Sequence, residues 1–153
     1  MSLQVIIGAR PITVRRAALD EIIHLRHVIL RPGLPFETAR FDGDEESTTL
    51  HFGAFVGDEP VGCVTFTQRP WQNQPAWQLR GMATAQGWQR KGIGRALMSV
   101  AESVLCNASD IRLMWCNART HATAFYEKLG WQMASDEFVI QGVGAHYRMT
   151  KRL

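Results

Sequence analysis

The sequence has few cysteines, no long apolar run and no repeated or low-complexity segment. Its three cysteines, Cys63, Cys106 and Cys116, each lie in an apolar stretch, which favours free thiols over a disulfide framework. No apolar run approaches the roughly 20 residues that span a bilayer. Residues 1–10 also lack the basic start and the cleavage site of a signal peptide. These absences predict a cytoplasmic protein that does not enter a membrane.

There is also little excess charge of either sign. Seventeen lysines and arginines against 14 acidic residues give a net charge of +3, and the basic residues are scattered. No motif that reads nucleic acid accompanies them, so we expect no nucleic-acid partner. A weak positive charge would nevertheless help to attract a polyanionic cofactor. The histidines and cysteines form no set of three or four ligands, and we expect no metal.

What is present suits one globular domain over residues 1–153, with 46% hydrophobic residues. In the first half, the spacing of apolar residues predicts a strand at 4–8, then a helix with Thr13 as its N-cap and its end at Pro32, and then a hairpin at 51–56 and 61–67. In the second half it predicts a strand at 77–84, a helix at 92–105, a strand at 111–116 and a helix at 118–129. Two strands at 138–140 and 147–150 complete the chain. This order indicates an α/β fold whose mixed, mostly antiparallel sheet has helices on both faces.

The start of the helix at 92–105 has the properties of an anion site. The first N–H groups of a helix have no partner within it, and the helix dipole adds partial positive charge there. Gly92 and Gly94 remove Cβ atoms that would keep a phosphate from the backbone. Arg90, Lys91 and Arg95 add full positive charges beside them.

Two familiar phosphate-binding motifs do not fit this loop. A Walker loop ends in Gly-Lys-Ser/Thr, which the segment lacks. A dinucleotide-binding loop needs a third small residue, and Leu97 stands in that position.

The loop and a downstream segment resemble the GNAT superfamily of N-acetyltransferases. The family signature Gln/Arg-x-x-Gly-x-Gly/Ala is matched by the run Gln89, Arg90, Lys91, Gly92, Ile93 and Gly94. The closing motif of the family is similar to residues 118–131, in which Ala122 precedes Phe125-Tyr126 and then Glu-Lys-Leu-Gly-Trp. The resemblance covers nearly the whole chain and implies the GNAT fold, with a splayed central pair of strands.

The resemblance implies where the donor acetyl-CoA would bind. The backbone amides of Gln89 to Arg95, including Ile93, would hold its pyrophosphate. The strand residues Met82, Ala83 and Thr84 would pair with its pantetheine arm. Gly81 would permit a bulge in that strand, and the Met82 amide would face the thioester oxygen.

The resemblance also implies the chemistry. Tyr126 matches the position of the general acid that protonates the departing thiolate, and a phenol is a usable proton donor at neutral pH. Many members have an asparagine where this chain has Arg119. Either Asn117 takes over that contact with the cofactor, or Arg119 reaches a phosphate instead.

These features predict an acyl-CoA-dependent N-acyltransferase in which a primary amine, on a small molecule or a peptide, attacks acetyl-CoA directly. The alternative is a non-catalytic acyl-CoA-binding or regulatory module, because no general base is evident. His51, Asp44 and Glu46 are weak candidates for a base. An acidic loop at residues 37–46 would favour a cationic acceptor if it borders the acceptor pocket. Dimerisation is left open.

Overall fold

The computed structural model describes all residues from Met1 to Leu153. The strands are β1 (Ser2–Ile7), β2 (Arg10–Ala17), β3 (Leu50–Val56), β4 (Glu59–Gln68), β5 (Trp77–Thr84), β6 (Leu113–Arg119), β7 (Gln132–Met133), β8 (Phe138–Ile140) and β9 (Gly144–Arg152). The helices are α1 (Leu19–Leu30), α2 (Ile93–Ala108) and α3 (Thr123–Lys128), with short 3₁₀ turns at Phe36–Ala39 and Thr120–Ala122. None of the helices is long and apolar enough to cross a bilayer.

All nine strands join one sheet in the order β1-β2-β3-β4-β5-β6-β9-β7, with β8 also paired to β9. The pairs are antiparallel except for β5 and β6, which run parallel. The prediction of a mixed, mostly antiparallel sheet is confirmed.

The two long helices cover opposite faces of the sheet. Two consecutive residues of β4 show this: Cys63 packs in a cluster with Ile22 of α1, whereas Val64 belongs to the main core with Leu97 of α2. Successive strand side chains point to opposite faces, so α1 and α2 lie on different sides. Helices on both faces, as predicted, follow from this arrangement.

The prediction of a helix from Thr13 is wrong, because Arg10–Ala17 is strand β2. Gly8 and Ala9 both have positive φ and form a tight turn from β1 into β2. Alanine rarely adopts a positive φ, so the sequence does not indicate this turn. The helix begins later, with Ala18 as its N-cap. The Glu21 carboxylate accepts a hydrogen bond from the Ala18 N–H at 2.7 Å, which is the part of a capping box that the third helical residue supplies.

The helix predicted at 118–129 is also shorter than expected. Ala118 and Arg119 complete β6, where they pair with Tyr147 and His146 of β9, and the helix α3 begins only at Thr123. Pairing with β9 extends the strand beyond its most apolar part, a long-range effect that local spacing does not reveal. Asn117 and Arg119 therefore lie on a strand.

Candidate active site

The two parallel strands at the centre of the sheet separate and open a cleft. β5 and β6 pair only over Trp77–Leu79 and Met114–Cys116, and their remaining residues have no partner in each other. Residues from both strands, from α2 and from α3 line the space between them, which has a volume of about 1220 Å³. The predicted splayed pair is thus present at the expected strands.

A bulge in β5 shapes one wall of the cleft. Across the β4–β5 ladder, Cys63 faces Ala83 and Thr65 faces Arg80, so Gly81 and Met82 together stand opposite one residue. Gly81 has a φ of +64° and lies so close to the buried Arg26 that a Cβ atom would be 2.8 Å from Nε. Glycine is therefore required here, and the bulge interrupts the regular ladder beside Met82.

The N-terminus of α2 forms one mouth of the cleft. Gly92 is the N-cap with a φ of +91°, and no side chain caps the helix. Arg90 also has a positive φ, so the orientation of successive peptide groups changes sharply in the loop before the helix begins. The first N–H groups of the helix, from Ile93 to Arg95, lack intrahelical partners, and a loop of this kind is a concave anion-binding surface.

The two glycines of this loop have different structural roles. Nothing lies within 4 Å of a Cβ atom built on Gly92, so that glycine serves the left-handed backbone and leaves the space above it open. A Cβ on Gly94 would be 2.7 Å from Cζ of Phe125. Gly94 thus permits close packing of α2 against α3, while backbone access for a phosphate at this position stays a prediction.

The structure brings nearly all predicted site residues around this cleft. Its lining includes Met82, Ala83, Thr84, Gln89, Arg90, Gly92, Ile93, Gly94, Arg95, Asn117, Arg119 and Tyr126. Lys91 is the exception: it does not line the cleft, and its Nζ lies 5.8 Å from the centre of the Trp88 ring.

Tyr126 lies on α3 between two aromatic rings. Its ring centre is 5.1 Å from that of Phe125 and 5.5 Å from that of Trp131, both edge-on. Burial, and to a lesser extent the nearby Cys116, raises the pKa of the phenol well above its usual value. Burial also raises the pKa of the Cys116 thiol to about 12, so both groups are protonated at neutral pH.

Asn117 presents an unsatisfied acceptor at the β6 wall. Its Oδ1 atom is buried and has no hydrogen-bond partner in the protein. Buried polar atoms almost always have partners, so this oxygen is an exception within the protein.

The residues considered as a base lie elsewhere. Asp44 is buried in an ion pair with Arg26, at 2.6 Å, and Glu46 pairs with Arg69 at the surface. His51 accepts from the Thr65 hydroxyl at Nδ1 and donates from Nε2 to the Asp44 carbonyl oxygen. None of the acidic residues at positions 37–46 lines the cleft, so the acidic rim considered from the sequence is not found.

Several lining residues were not singled out from the sequence. Arg31, Phe41 and Arg80 lie together at the end of the cleft that is farther from α2. Arg80 is a charged residue inside the predicted strand β5, which the sequence does show. Arg31 and Phe41 come from the end of α1 and the following loop, and no local pattern marks them. His146 also lines the cleft, and its Nδ1 lies 2.7 Å from the Gly144 carbonyl oxygen, which leaves Nε2 free of protein partners.

Comparison with known proteins identifies the family. Residues 17–131 match the model of the acetyltransferase (GNAT) family. The chain is 34% identical over 146 residues to the uncharacterized N-acetyltransferase YitI of Bacillus subtilis (strain 168), covering 92% of this chain and 95% of that protein.

Solved structures share the fold. The structure is similar to that of Escherichia coli ElaA, with a TM-score of 0.77, 15% identity, and coverage of 92% of this chain and 99% of that one. It also resembles an aminoglycoside 6'-N-acetyltransferase complexed with coenzyme A, with a TM-score of 0.72, 15% identity, and coverage of 91% and 96%. The cleft between β5 and β6, the family match and the close relative agree, and the chain belongs to the GNAT family of N-acetyltransferases.

Proposed function

We propose that the protein transfers an acetyl group from acetyl-CoA to a primary amine by direct attack, without a covalent enzyme intermediate. The observation that carries this proposal is the cleft between β5 and β6, which is lined by the uncapped N-terminus of α2, by the bulge at Gly81 and by Tyr126. A thioester donor that enters at α2 would extend along β5 toward the bulge.

The loop before α2 supplies what a pyrophosphate needs. Free N–H groups at Ile93 to Arg95 and the side chains of Arg90 and Arg95 surround the same open space. Farther in, the cleft is lined by Met82–Thr84 on β5 and by Asn117 on β6, whose Oδ1 atom has no partner within the protein. Amide groups of a pantetheine arm would be matched to both walls, because they donate and accept hydrogen bonds alternately.

The chemistry requires charge stabilisation and proton transfer. As the amine nitrogen attacks the thioester carbon, negative charge develops on the carbonyl oxygen, and in this proposal the Met82 amide at the bulge donates to it. The C–S bond then breaks, the thiolate takes the phenolic proton of Tyr126, and the proton that the attacking nitrogen loses on forming the amide restores the phenol. The raised pKa keeps the phenol protonated, and so able to donate, until the C–S bond breaks.

Replacing Tyr126 by phenylalanine tests the assignment of the general acid. The ring packing against Phe125 and Trp131 is retained, and only the proton donor is lost. We expect kcat, measured by release of free CoA thiol, to fall by about 10-fold or more. Binding of acetyl-CoA, measured by titration calorimetry, should change little.

The chain offers a matched control, because its other tyrosine, Tyr147, lies on β9 and does not line the cleft. Tyr147→Phe should retain full turnover. Equal activity in Tyr126→Phe and Tyr147→Phe would remove Tyr126 from the mechanism. Tight binding of acetyl-CoA with no thiol release for any amine would instead indicate an acyl-CoA-binding module.

A further inference from the structure

The cleft is lined by cationic side chains and by no carboxylate. Its charged lining residues are Arg31, Arg80, Arg90, Arg95, Arg119 and Lys128. Arg90 and Arg95 lie at the loop and first turn of α2, where a pyrophosphate would account for them. The arginines at the other end have no such explanation.

Arg31 and Arg80 lie beyond the position expected for the thioester. Along β5, Thr84 is nearest to the loop before α2, and Met82 follows at the bulge. Arg80 comes next, on the far side of that bulge. Arg31 directly follows α1 and lines the same end of the cleft. This is the end from which an acceptor would approach a donor that occupies β5.

The aromatic ring of Phe41 lies close to the side chains of both arginines. The Cζ atoms of Arg80 and Arg31 lie 4.8 and 5.2 Å from its ring centre, and that of Arg26 lies at 4.2 Å. Arg26 is fully buried and is neutralised by Asp44. Arg31 and Arg80 form no ion pair with any carboxylate.

Both guanidinium groups bond only to backbone oxygens within the protein. Arg31 donates to the Leu30 carbonyl at 3.0 Å, and Arg80 donates to the Asp42 carbonyl at 2.9 Å. Arg119 also donates to Leu30, at 3.2 Å, so part of this set stabilises the C-terminus of α1. That role uses one N–H of each group, and a guanidinium has five.

This arrangement is costly without an anion. Burial, together with the charges of Arg119 and Arg26, lowers the pKa of Arg31, and burial is the main cause that lowers the pKa of Arg80. Like charges held together away from water destabilise one another, and a bound carboxylate or phosphate relieves both effects. The same charges disfavour an ammonium ion nearby, so an amine would enter in its neutral, nucleophilic form.

We infer that the acceptor carries an anionic group, a carboxylate or a phosphate, that binds Arg31 and Arg80 over Phe41 while its amino group faces the bulge at Gly81. The inference rests on the proposed transfer to an amine and adds the acceptor's chemical class: an amino acid or an aminoalkyl phosphate or phosphonate, in place of a polyamine.

The experiment measures kcat/KM for acceptors in matched pairs. Amino acids are compared with their carboxamides, and aminoalkylphosphonates with the corresponding amino alcohols, so that each pair differs in the anionic group. We expect the anionic member to be preferred by roughly 10- to 100-fold, the scale of a hydrogen-bonded charge pair. The two series distinguish a carboxylate from a phosphoryl group.

Substitutions of the two arginines test whether their side chains cause the preference for an anionic acceptor. Arg80→Gln and Arg31→Gln should reduce the preference for the anionic member by about 10-fold, mainly through KM, and Arg80→Lys should restore part of it. Arg40→Gln is the control, since Arg40 pairs with Glu45 at the surface and does not line the cleft. Its preference should equal that of the unaltered protein.

The outcomes separate this inference from the proposed function. Absence of acetyl-CoA binding by calorimetry would refute both. Normal acetyl-CoA binding with equal or better use of neutral and cationic amines, or an unchanged preference in Arg80→Gln and Arg31→Gln, would overturn the anionic acceptor alone. If no acceptor in the panel reacts, binding of N-acetyl amino acids to the CoA complex is measured, and binding independent of Arg80 and Arg31 would also overturn it.

Discussion

The imidazole of His51 is buried and belongs to a chain of hydrogen bonds. Arg26 donates to the Thr65 hydroxyl at 2.7 Å, and that hydroxyl lies 2.8 Å from Nδ1 of His51. The opposite ring nitrogen donates to the Asp44 carbonyl at 2.9 Å. Because a carbonyl oxygen can only accept, Nε2 carries a hydrogen, and in the neutral ring Nδ1 accepts from the Thr65 hydroxyl. The ring thus links β3 and β4 to the loop that carries Asp44.

This chain of hydrogen bonds around His51 predicts that the stability of the fold depends on pH. Burial lowers the pKa of His51 below its unfolded value of 6.5, so the unfolded chain takes up this proton at a higher pH than the folded one. Stability from His51 is complete above the unfolded pKa and is lost as the pH falls below it. The free energy of unfolding by urea should therefore decrease between about pH 7 and pH 5.

Two variants check the assignment to this ring. His51→Gln should flatten the dependence over that range, whereas replacement of the exposed His121 by glutamine should leave it unchanged. An equal slope in the His51 variant and the unaltered protein would show that other groups titrate there.

Among the elements, those defined by local pattern were predicted and those defined by distant pairing were not. The bounds of β5 and the start of α2 follow from an alternating strand, a basic glycine loop and an apolar helical stripe. β2 was missed because Val14, Ala18 and Ile22 also fit a helical spacing, and only pairing with β1 and β3 decides for a strand. The donor end of the cleft could be inferred from the sequence for the same reason.

The acceptor end could not be inferred in this way. Arg31, Phe41 and Arg80 are far apart in the chain and meet only through the packing of α1 and its following loop on β5. The acidic residues nearby suggested a negative rim, but the fold turns them toward Arg26, Arg40 and Arg69. Sequence composition alone therefore gave the opposite sign of charge for this pocket.

The contact between α2 and α3 supplies a prediction about Gly94. A methyl group there would meet the Phe125 ring at 2.7 Å and push the two helices apart. Gly94→Ala should cost about 1–3 kcal/mol in unfolding free energy, the usual range for overpacking, and should weaken acetyl-CoA binding. Denaturant titration and calorimetry measure the two effects.

A second substitution gives the control. Phe125→Leu shortens the ring that the new methyl group meets, so the double variant should recover part of the stability lost by Gly94→Ala. Strict additivity of the two substitutions would contradict a direct contact between these residues.

For the molecule as a whole, the uniform charge of the cleft matters more than the net charge of +3. A cleft of one sign attracts a polyanion, and salt screens that attraction. We expect affinity for CoA, measured by calorimetry, to fall several-fold between about 0.05 and 0.5 M NaCl. Pantetheine, which lacks the phosphates, is the control and should show little change; an equal salt effect on both would contradict electrostatic capture.

The short parallel contact between β5 and β6 has a mechanical consequence. Three residue pairs, from Trp77 and Met114 to Leu79 and Cys116, are the whole ladder between the block β1–β5 and the block β6–β9. A substrate bound between the diverging edges would strengthen the connection between the two blocks, because it adds hydrogen bonds to the backbone where the ladder ends. The connection between the two blocks would then become stronger when substrate binds and weaker when product leaves, once in each catalytic cycle.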